Sequence, residues 1–244
     1  MTFDKVAVHT YYDGSKNPQW ASFGLKSAQL QKVWADKHGY SFKAHVGRQL
    51  PRMVHAWDKI PILIGSIKNT DADWHMVFDA DIFITNLKLD LNTLLKDYDH
   101  RKVFTGKDWL YPINAGVLLV HRTALKLLNA VLKLKGACPD NLYEQGVIQM
   151  FREACAEWHH EICPVDHRIF NSYSANLDEG FKGTWENGDF LVHFAGWPLE
   201  RILSVHGDVF NRSDSIQPEA LSDLLCKSLQ SIREKVLLTK KHRV

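Results

Sequence analysis

The chain alternates between short blocks of strand-like residues and longer blocks with a helical apolar period. The run at residues 74–78 (WHMVF) is short and almost wholly apolar, which is typical of a strand buried on both faces rather than of a helix. Other segments rich in β-branched and aromatic residues favour strands for the same reason. The pattern predicts strands at residues 5–11, 41–46, 74–78, 103–105, 116–120 and 190–194.

Apolar residues recur at helical spacing between these strands. Residues 22–38 carry such a pattern, and Gly39 is a suitable stop for the helix. The helix predicted at residues 53–67 contains Pro61, which must begin or kink a turn because proline lacks the backbone N–H. Further helices are predicted at residues 123–134, 143–158 and 218–236, the last of them amphipathic.

Strands that alternate with helices predict an α/β fold with a mixed, mainly parallel sheet flanked by helices on both faces. In open sheets of this kind, ligands collect in the crevice at the carboxyl ends of the strands. The sequence contains no internal repeat, low-complexity stretch or clear linker. We therefore predict one domain at residues 1–204, with residues 205–244 as a C-terminal helical extension of that domain.

Composition narrows the class of protein. Apolar residues make up 45% of the 244 residues and charged residues 24%, which is the balance of a soluble globular protein. A net charge of +2 gives no argument for nucleic acid or a membrane surface as a partner. The four cysteines form no CxxC pair, which argues against structural zinc and favours reduced thiols. Without a membrane span or signal peptide, we expect a soluble cytoplasmic protein.

The Asp79-Ala80-Asp81 motif directly follows the predicted strand at residues 74–78. Two carboxylates at the end of a buried strand form a hard-oxygen site suited to Mg²⁺ or Mn²⁺. Such an ion stabilises a departing diphosphate by neutralising its charge. The alternative is an Asp-rich surface turn. Apolar residues on both sides of the motif favour the cation, because buried charges need a partner.

A second polar motif lies at residues 188–196 (GDFLVHFAG), where His193 ends another predicted strand. A neutral imidazole can complete a carboxylate-rich Mn²⁺ site, and Gly196 lets the backbone approach a phosphate closely. The alternative is a core histidine with a satisfied hydrogen bond, which is the more common case in a chain with 13 histidines.

Three further motifs carry weaker signals. The NAG motif at residues 114–116 suits either a turn or contacts to sugar hydroxyls. The EQG motif at residues 144–146 begins a predicted helix, where it either places a polar group near an anomeric carbon or simply favours the helix dipole. The HTYYD motif at residues 9–13 ends the first strand, and an aromatic residue there can stack on a nucleotide base.

Taken together, these segments resemble glycosyltransferase family 34, which holds fungal α-galactosyl- and mannosyltransferases and plant xyloglucan xylosyltransferases. The shared order is WDKIP at residues 57–61, WHMVFDADIFITN at residues 74–86, then NAGVLLV, EQG, FNSY and GDFLVHFAGW. The similarity spans roughly residues 6–198. It implies the GT-A fold of nucleotide-diphospho-sugar transferases, Mn²⁺ dependence, a nucleotide-sugar donor and retention of anomeric configuration.

The resemblance also implies roles for individual residues. Asp79 and Asp81 are expected to bind the metal ion, with His193 as the third protein ligand. Gln145 is expected at the reaction centre, beside Glu144 where the family usually has Asp. The donor is expected to contact His9, Thr10, Tyr11, Asp79, Ala80, Asn114, Ala115, Gly116 and Gly196.

The sequence departs from the family pattern after HFAG, where plant members carry Cys and a phosphate-binding Lys. Trp197 and Pro198 occupy these positions instead. Neutralisation of the phosphate charge is therefore expected from Arg201, from Lys26 or from the metal ion alone. Eukaryotic members usually carry an N-terminal membrane anchor, and this sequence shows none. That difference favours a soluble viral or microbial relative, which would act in the host cytoplasm if viral.

These observations predict a metal-dependent glycosyltransferase that moves a hexose or pentose from a nucleotide-diphosphate sugar to a hydroxyl of a glycan or glycoconjugate. UDP-sugars are favoured and GDP-sugars are the alternative, with Mn²⁺ as cofactor or Mg²⁺ in its place. Inversion would need a carboxylate base such as Asp108 or Glu144. Two other classes remain open, a metal-dependent nucleotide-sugar phosphohydrolase and a non-catalytic carbohydrate-binding module built on exposed tryptophans.

Overall fold

The computed structural model of the protein describes residues 2–14, 18–137, 142–173, 185–196 and 202. The helix predicted at residues 218–236 and the extension at residues 205–244 lie outside these ranges, together with the boundary that separates the extension from the domain. Within the described ranges, no helix combines the length and the apolar character that crossing a lipid bilayer requires.

The strands form two sheets. They are β1 (Val6–Tyr12), β2 (Ser41–Val46), β3 (Trp74–Phe78), β4 (Ile82–Ile84), β5 (Val103–Gly106), β6 (Asn114–His121), β7 (Ile162–Val165) and β8 (Leu191–His193). The main sheet has the order β2-β1-β3-β6-β5-β7, and β4 pairs with β8 in a small antiparallel sheet. In the main sheet β6 runs antiparallel to β3 and β5, while the other pairings are parallel. The predicted mixed, mainly parallel sheet is confirmed.

Helices connect the strands. They are α1 (Pro18–Lys37), α2 (Lys59–Asn69), α3 (Leu91–Leu94), α4 (Leu125–Lys133), α5 (Tyr143–Ala154), α6 (Ala156–His159) and α7 (His167–Phe170). Two 3₁₀ turns, His55–Asp58 and Arg122–Ala124, lead into α2 and α4. Pro61 lies in the first turn of α2, where no intrahelical N–H bond is required, so its predicted place at the beginning of a turn is confirmed.

The predicted element boundaries hold best for long or strongly apolar segments. The strands at residues 41–46 and 74–78 are confirmed at both ends. The elements β4, β7, α3 and α7 were not predicted, because each has only three or four residues and therefore too few positions to show a period. One of these short elements, β4, proves essential to the site.

Both faces of the sheet are covered, as β6 illustrates. Leu118 and Val120 point into a core formed with α2 and α4. Val117 and Leu119 point to the opposite face, into a core that includes Trp34 of α1. Because successive strand side chains alternate between faces, the apolar run in β6 fills two cores at once.

A chain of neutral side chains crosses the sheet beneath α2. His75 Nε2 lies 3.1 Å from the carbonyl oxygen of Ala72, to which it must donate, so His75 Nδ1 accepts from the Ser66 hydroxyl at 2.7 Å. The Ser66 oxygen then accepts from His9 Nε2 at 2.7 Å, and His9 Nδ1 accepts from His45 Nε2 at 3.2 Å. With these directions His9 and His75 each carry a single ring proton, which is the neutral form that their burial favours.

We expect this histidine chain to make folding stability depend on pH. Burial lowers the pKa of His9 to about 3, with smaller contributions from His45, His75 and Lys43. Burial lowers the pKa of His75 to about 4 in the same way. Below about pH 6.5 these histidines therefore become protonated in the unfolded chain but stay neutral in the folded protein. Their contribution to the free energy of unfolding is thus largest above about pH 6.5 and is lost as the pH falls toward 4.

The free energy of unfolding should fall by about 2–4 kcal/mol between pH 7 and pH 5, measured by urea titration at each pH. The variant His75→Gln should show a smaller fall over that interval, whereas His100→Gln, at an exposed position, should keep the full dependence. A free energy of unfolding that stays constant between pH 7 and pH 5 would contradict the neutral assignment.

Candidate functional site

Two aspartates leave the centre of the main sheet at the carboxyl end of β3. The backbone N–H of Asp79 donates to the carbonyl of Gly116 at 2.8 Å, so the motif remains attached to β6. The N–H of Ile82 then donates to the carbonyl of Asp79 at 3.3 Å, which closes a tight turn before β4 begins. This turn places both carboxylates at the edge of the sheet where the sequence predicted a ligand site.

The pairing of β4 with β8 brings His193 to the aspartates. His193 lies opposite Ile82 in this small sheet, and the N–H of Phe194 donates to the carbonyl of Asp81 at 3.0 Å. The ligand atoms of Asp79, Asp81 and His193 all lie within 4.8 Å of one another. The predicted trio is thus brought together, although more than 100 residues separate Asp81 from His193 in the sequence.

The tautomer of His193 suits metal coordination. Asn171 donates through its Nδ2 to the Lys107 carbonyl at 2.9 Å and to the Tyr173 hydroxyl at 2.8 Å. Its Oδ1 therefore faces His193 Nδ1 at 2.7 Å and accepts the proton there. The lone pair of His193 Nε2 is left facing Asp81 Oδ1 at 3.4 Å. Two carboxylates and an imidazole oriented by a hydrogen bond form a donor set that fits a divalent cation.

The absence of a side chain at Gly116 leaves space for the His193 ring. A Cβ atom at this position would lie 2.3 Å from His193 Cε1 and 2.9 Å from Nε2, closer than any ordinary contact. Here glycine is required by close approach, since a side chain would occupy the volume of the His193 ring. The NAG motif therefore contributes space to the metal site, in addition to the sugar contacts predicted for it.

A buried lysine links the site to the surrounding elements. Lys59 of α2 is only 1% exposed, and its ammonium contacts Asp79 Oδ1 at 2.9 Å and Glu144 Oε1 at 2.8 Å. It also donates to the Ala115 carbonyl at 2.7 Å. Burial lowers the pKa of Lys59, but Asp79 and Glu144 raise it by more, so the group stays charged. One cation thus holds the ends of β3, β6 and α5 together.

The two residues predicted to be catalytic are both constrained by hydrogen bonds. Glu144 is buried and its Oε1 is bonded to Lys59, whereas its Oε2 has no hydrogen-bond partner among the residues that the structure describes. Burial raises the pKa of Glu144, and Lys59 acts in the opposite direction. Gln145 Oε1 accepts from the backbone N–H of Ala115 at 2.9 Å. Tyr143, which precedes Glu144 in the chain, has a φ of 51°. This backbone conformation costs energy in a non-glycine residue, and such strained residues cluster at functional sites.

Two cavities meet at the aspartates. The larger has a volume of about 540 Å³ and is lined in part by Tyr11, Tyr12 and Trp20. The smaller, of about 170 Å³, is lined in part by Lys59, Gln145 and His193. Asp79 and Asp81 line both. The middle of a ligand that fills both cavities would therefore lie beside the two carboxylates.

The predicted donor residues divide between these cavities, with two exceptions. Tyr11 and Ala80 line the larger cavity, whereas Asn114, Ala115, Gly116 and Gly196 line the smaller. His9 and Thr10 line neither: the His9 ring bonds to Ser66 beneath α2, and the Thr10 hydroxyl donates to the Phe78 carbonyl at 3.2 Å. We correct the prediction for these two side chains, which are engaged inside the protein.

Several lining residues were not predicted as ligand contacts. Arg48 is held toward the larger cavity by its Nε, which donates to Asp58 Oδ2 at 2.7 Å, and His55 stacks on Tyr11 with ring centroids 6.0 Å apart. Lys59 belongs to the WDKIP segment, but the sequence predicted no role for it. Lys26 lines neither cavity, and Arg201 lies outside the described residues. Among the described residues that line the larger cavity, Arg48 is the one lysine or arginine.

No protein-family model matches the sequence, and no curated protein sequence matches it. Solved structures are similar in fold. The glycosyltransferase involved in the glycosylation of the major capsid of PBCV-1 aligns with a TM-score of 0.63 at 20% identity, over 80% of this chain and 95% of that one. The glycosyltransferase GlyE of Streptococcus pneumoniae TIGR4 aligns with a TM-score of 0.53 at 12% identity, over 92% and 64%.

An active-site mutant of LgtC aligns with a TM-score of 0.50 at 12% identity, over 87% of this chain and 98% of that one. At such low identities these likenesses establish the fold and leave the reaction to be argued from the site. The predicted GT-A fold is confirmed.

Proposed function

We propose that the protein is a metal-dependent glycosyltransferase that moves a hexose or pentose from a nucleotide-diphosphate sugar to a glycan hydroxyl. The observation that carries this proposal is the position of Asp79, Asp81 and His193, whose ligand atoms converge where two cavities meet. A nucleoside fits the larger cavity and a single sugar the smaller, so the diphosphate would lie beside the three ligands. UDP-sugars are favoured as donors, and GDP-sugars are the alternative.

The donor set favours Mn²⁺, with Mg²⁺ as the alternative, because an imidazole nitrogen suits Mn²⁺ better than the oxygen-preferring Mg²⁺. When bound, such an ion supplies Lewis-acid stabilisation of the charge on the departing diphosphate. Asp79, Asp81 and His193 are the residues that would hold it. The pKa of Asp81 is consistent with this role: burial raises it, but His193, a backbone hydrogen bond and Lys59 together lower it below its usual range, so the carboxyl is ionised at neutral pH.

The neighbouring residues would orient the donor. We assign Arg48 and the stacked Tyr11–His55 pair to the nucleotide, since they line the larger cavity. The acceptor oxygen forms a bond to the anomeric carbon while the bond from that carbon to the diphosphate oxygen breaks. The acceptor's proton leaves with the diphosphate. This transfer requires no oxidant, reductant or water.

Retention of anomeric configuration is the outcome we propose. Glu144 is engaged with Lys59 at 2.8 Å, which makes it a positioning group rather than an available base. Gln145 accepts from Ala115 through its oxygen, so its amide NH₂ is the group left to contact the sugar, and an amide is too weak a base for an inverting displacement. Proton NMR of the anomeric coupling in the product decides between retention and inversion.

Membership of glycosyltransferase family 34 remains a proposal. It is supported by the order of the WDKIP, DAD, NAG, EQG and GDFLVHFAGW segments. It is also supported by the convergence of these segments on one site, since all five contribute residues that line the smaller cavity.

The function is tested by ligand stabilisation with a panel of UDP-glucose, UDP-galactose, UDP-xylose and GDP-mannose. A true donor at about 100 times its Kd, together with Mn²⁺, should stabilise the fold by about 2.7 kcal/mol. That corresponds to a rise in Tm of about 5–10 °C for a protein of this size. EDTA should abolish the rise, because the diphosphate is expected to bind through the cation.

Product analysis separates the proposal from its alternatives. Release of UDP that depends on a glycan acceptor supports the transferase. Rapid cleavage of the donor with no sugar captured by any acceptor identifies a phosphohydrolase. Glycan binding that is indifferent to EDTA, without any nucleotide binding, identifies a carbohydrate-binding module and removes the proposed function.

A further inference from the structure

An exposed apolar surface lies in the loop between β5 and β6. Its three consecutive side chains, Trp109, Leu110 and Tyr111, are 53%, 78% and 40% exposed, and we call them the 109–111 platform. The other large apolar side chains that are exposed in the described residues, such as Val54 and Leu134, do not follow one another in the sequence. A contiguous exposed apolar surface of this kind marks a binding site more often than a chance feature.

The platform is held in place by its backbone. The N–H of Leu110 donates to Asp108 Oδ1 at 3.0 Å, which fixes the turn. Lys107 is held from two sides, since its N–H donates to the Val165 carbonyl at 2.9 Å and its carbonyl accepts from Asn171 Nδ2 at 2.9 Å. A loop anchored in this way presents its apolar side chains outward as a formed surface.

The platform begins at the wall of the smaller cavity. Asp108 Oδ2 accepts from Asn114 Nδ2 at 3.0 Å and from the Tyr173 hydroxyl at 3.0 Å. Asn114 itself lines the smaller cavity, next to Gly116. Trp109 therefore follows directly after a residue in contact with the cavity wall, and its ring packs 5.5 Å from the ring of His167. Through Asp108 and Asn114 the platform is thus linked by a hydrogen bond to the wall of the proposed sugar site.

We propose that the 109–111 platform is the acceptor subsite and that it binds a pyranose ring of the acceptor glycan by stacking on Trp109. This inference rests on the proposed function. A pyranose has an apolar face of C–H groups and a rim of hydroxyls, so it matches an aromatic ring flanked by polar groups. Polar side chains adjoin the platform, since the exposed Lys107 and the half-buried Asp108 precede it and the half-buried His167 ring lies 5.5 Å from the Trp109 ring. A sugar stacked here can direct one hydroxyl into the smaller cavity.

The test compares Trp109→Ala with Trp109→Phe and with the control Leu134→Ala, which removes an exposed apolar side chain elsewhere. The probes are the methyl glycosides of glucose, galactose, mannose and xylose. Saturation-transfer NMR in the presence of UDP and Mn²⁺ should show contacts to at least one glycoside in the wild type. These contacts should be lost in Trp109→Ala and kept in Trp109→Phe and Leu134→Ala.

For the glycoside that accepts sugar, KM should rise about tenfold in Trp109→Ala and stay within about threefold in Trp109→Phe. The Kd of UDP with Mn²⁺ should stay within about twofold. An unchanged acceptor KM in Trp109→Ala, or a wild type that contacts none of the glycosides, overturns the inference. If no donor is turned over but the glycoside contacts still depend on Trp109, the proposed transfer fails while the sugar-binding platform stands.

Discussion

Replacing Asp81 by Asn should lower turnover of the nucleotide sugar by at least about a hundredfold while leaving the fold intact. The substitution keeps the shape of the side chain but removes a negative charge and an anionic oxygen from the cation site. It also removes the carboxylate that lies 3.4 Å from His193 Nε2, the atom whose lone pair we assign to the ion. Mn²⁺ should bind more weakly by calorimetry, and raising its concentration should restore part of the activity.

The matched control for this substitution is Asp71→Asn, which makes the same chemical change at a side chain that is 91% exposed and forms an ion pair with Lys5 at 3.5 Å. It should leave turnover and Mn²⁺ affinity unchanged, because an exposed ion pair of this kind contributes little. Circular dichroism and the melting temperature show whether each variant is folded. A folded Asp81→Asn protein with full activity would remove the proposed cation site and, with it, the metal dependence of the proposed function.

The aspartate pair was predictable because its signal is local. An apolar run of five residues predicts a buried strand, and a polar motif at its end predicts side chains at the sheet edge. Both statements concern adjacent residues, and both hold in the structure. The sheet could be predicted for a similar reason, since its longer strands carry patterns of enough positions to be recognised.

The position of His193 beside the aspartates could not be predicted from a local pattern. Nothing within a few residues of His193 indicates that it faces Asp81, because their contact depends on β4 pairing with β8 more than 100 residues away. Composition alone favoured a core histidine. Its assignment as a ligand came from the resemblance to a family, which carries information about three-dimensional contacts that no single-sequence pattern contains.

The correction for His9 and Thr10 shows the limit of motif-level reasoning. The HTYYD motif was placed correctly at the end of β1, and Tyr11 and Tyr12 do line the larger cavity. However, the helices that pack over the end of a strand decide which of its residues can face a ligand. Here α2 covers His9 through Ser66, and the Thr10 hydroxyl is taken by the backbone of β3.

Lys59 was missed because its role depends on three distant elements. In sequence it is a single lysine before the apolar run of α2, typical of a solvated helix start. In the structure it is buried, and it contacts a carboxylate on each side. A buried lysine is tolerable only with such partners, so the need to pair it explains why Glu144 is engaged with Lys59.

The space around the His193 ring suggests a second substitution with a large effect. A methyl group at position 116 would lie 2.3 Å from His193 Cε1, and the ring has little room to move. Its Nδ1 is bonded to Asn171 at 2.7 Å, its backbone N–H donates to the Ser172 carbonyl at 2.7 Å, and Tyr173 stacks beside it with ring centroids 6.2 Å apart. Relief of the clash must therefore displace either the imidazole or β6.

In Gly116→Ala we accordingly expect Mn²⁺ affinity to fall at least about tenfold and turnover to fall by a similar or larger factor, with a loss of about 1–3 kcal/mol in stability from overpacking. The control is Gly65→Ala in α2, where a Cβ meets nothing within 4 Å and alanine is the better helix former, so stability should be equal or higher. Calorimetry with Mn²⁺ and urea unfolding measure both effects. If Gly116→Ala binds Mn²⁺ as the wild type does, His193 does not share the ion with Asp79 and Asp81, and the three-ligand site must be abandoned even if the aspartates remain essential.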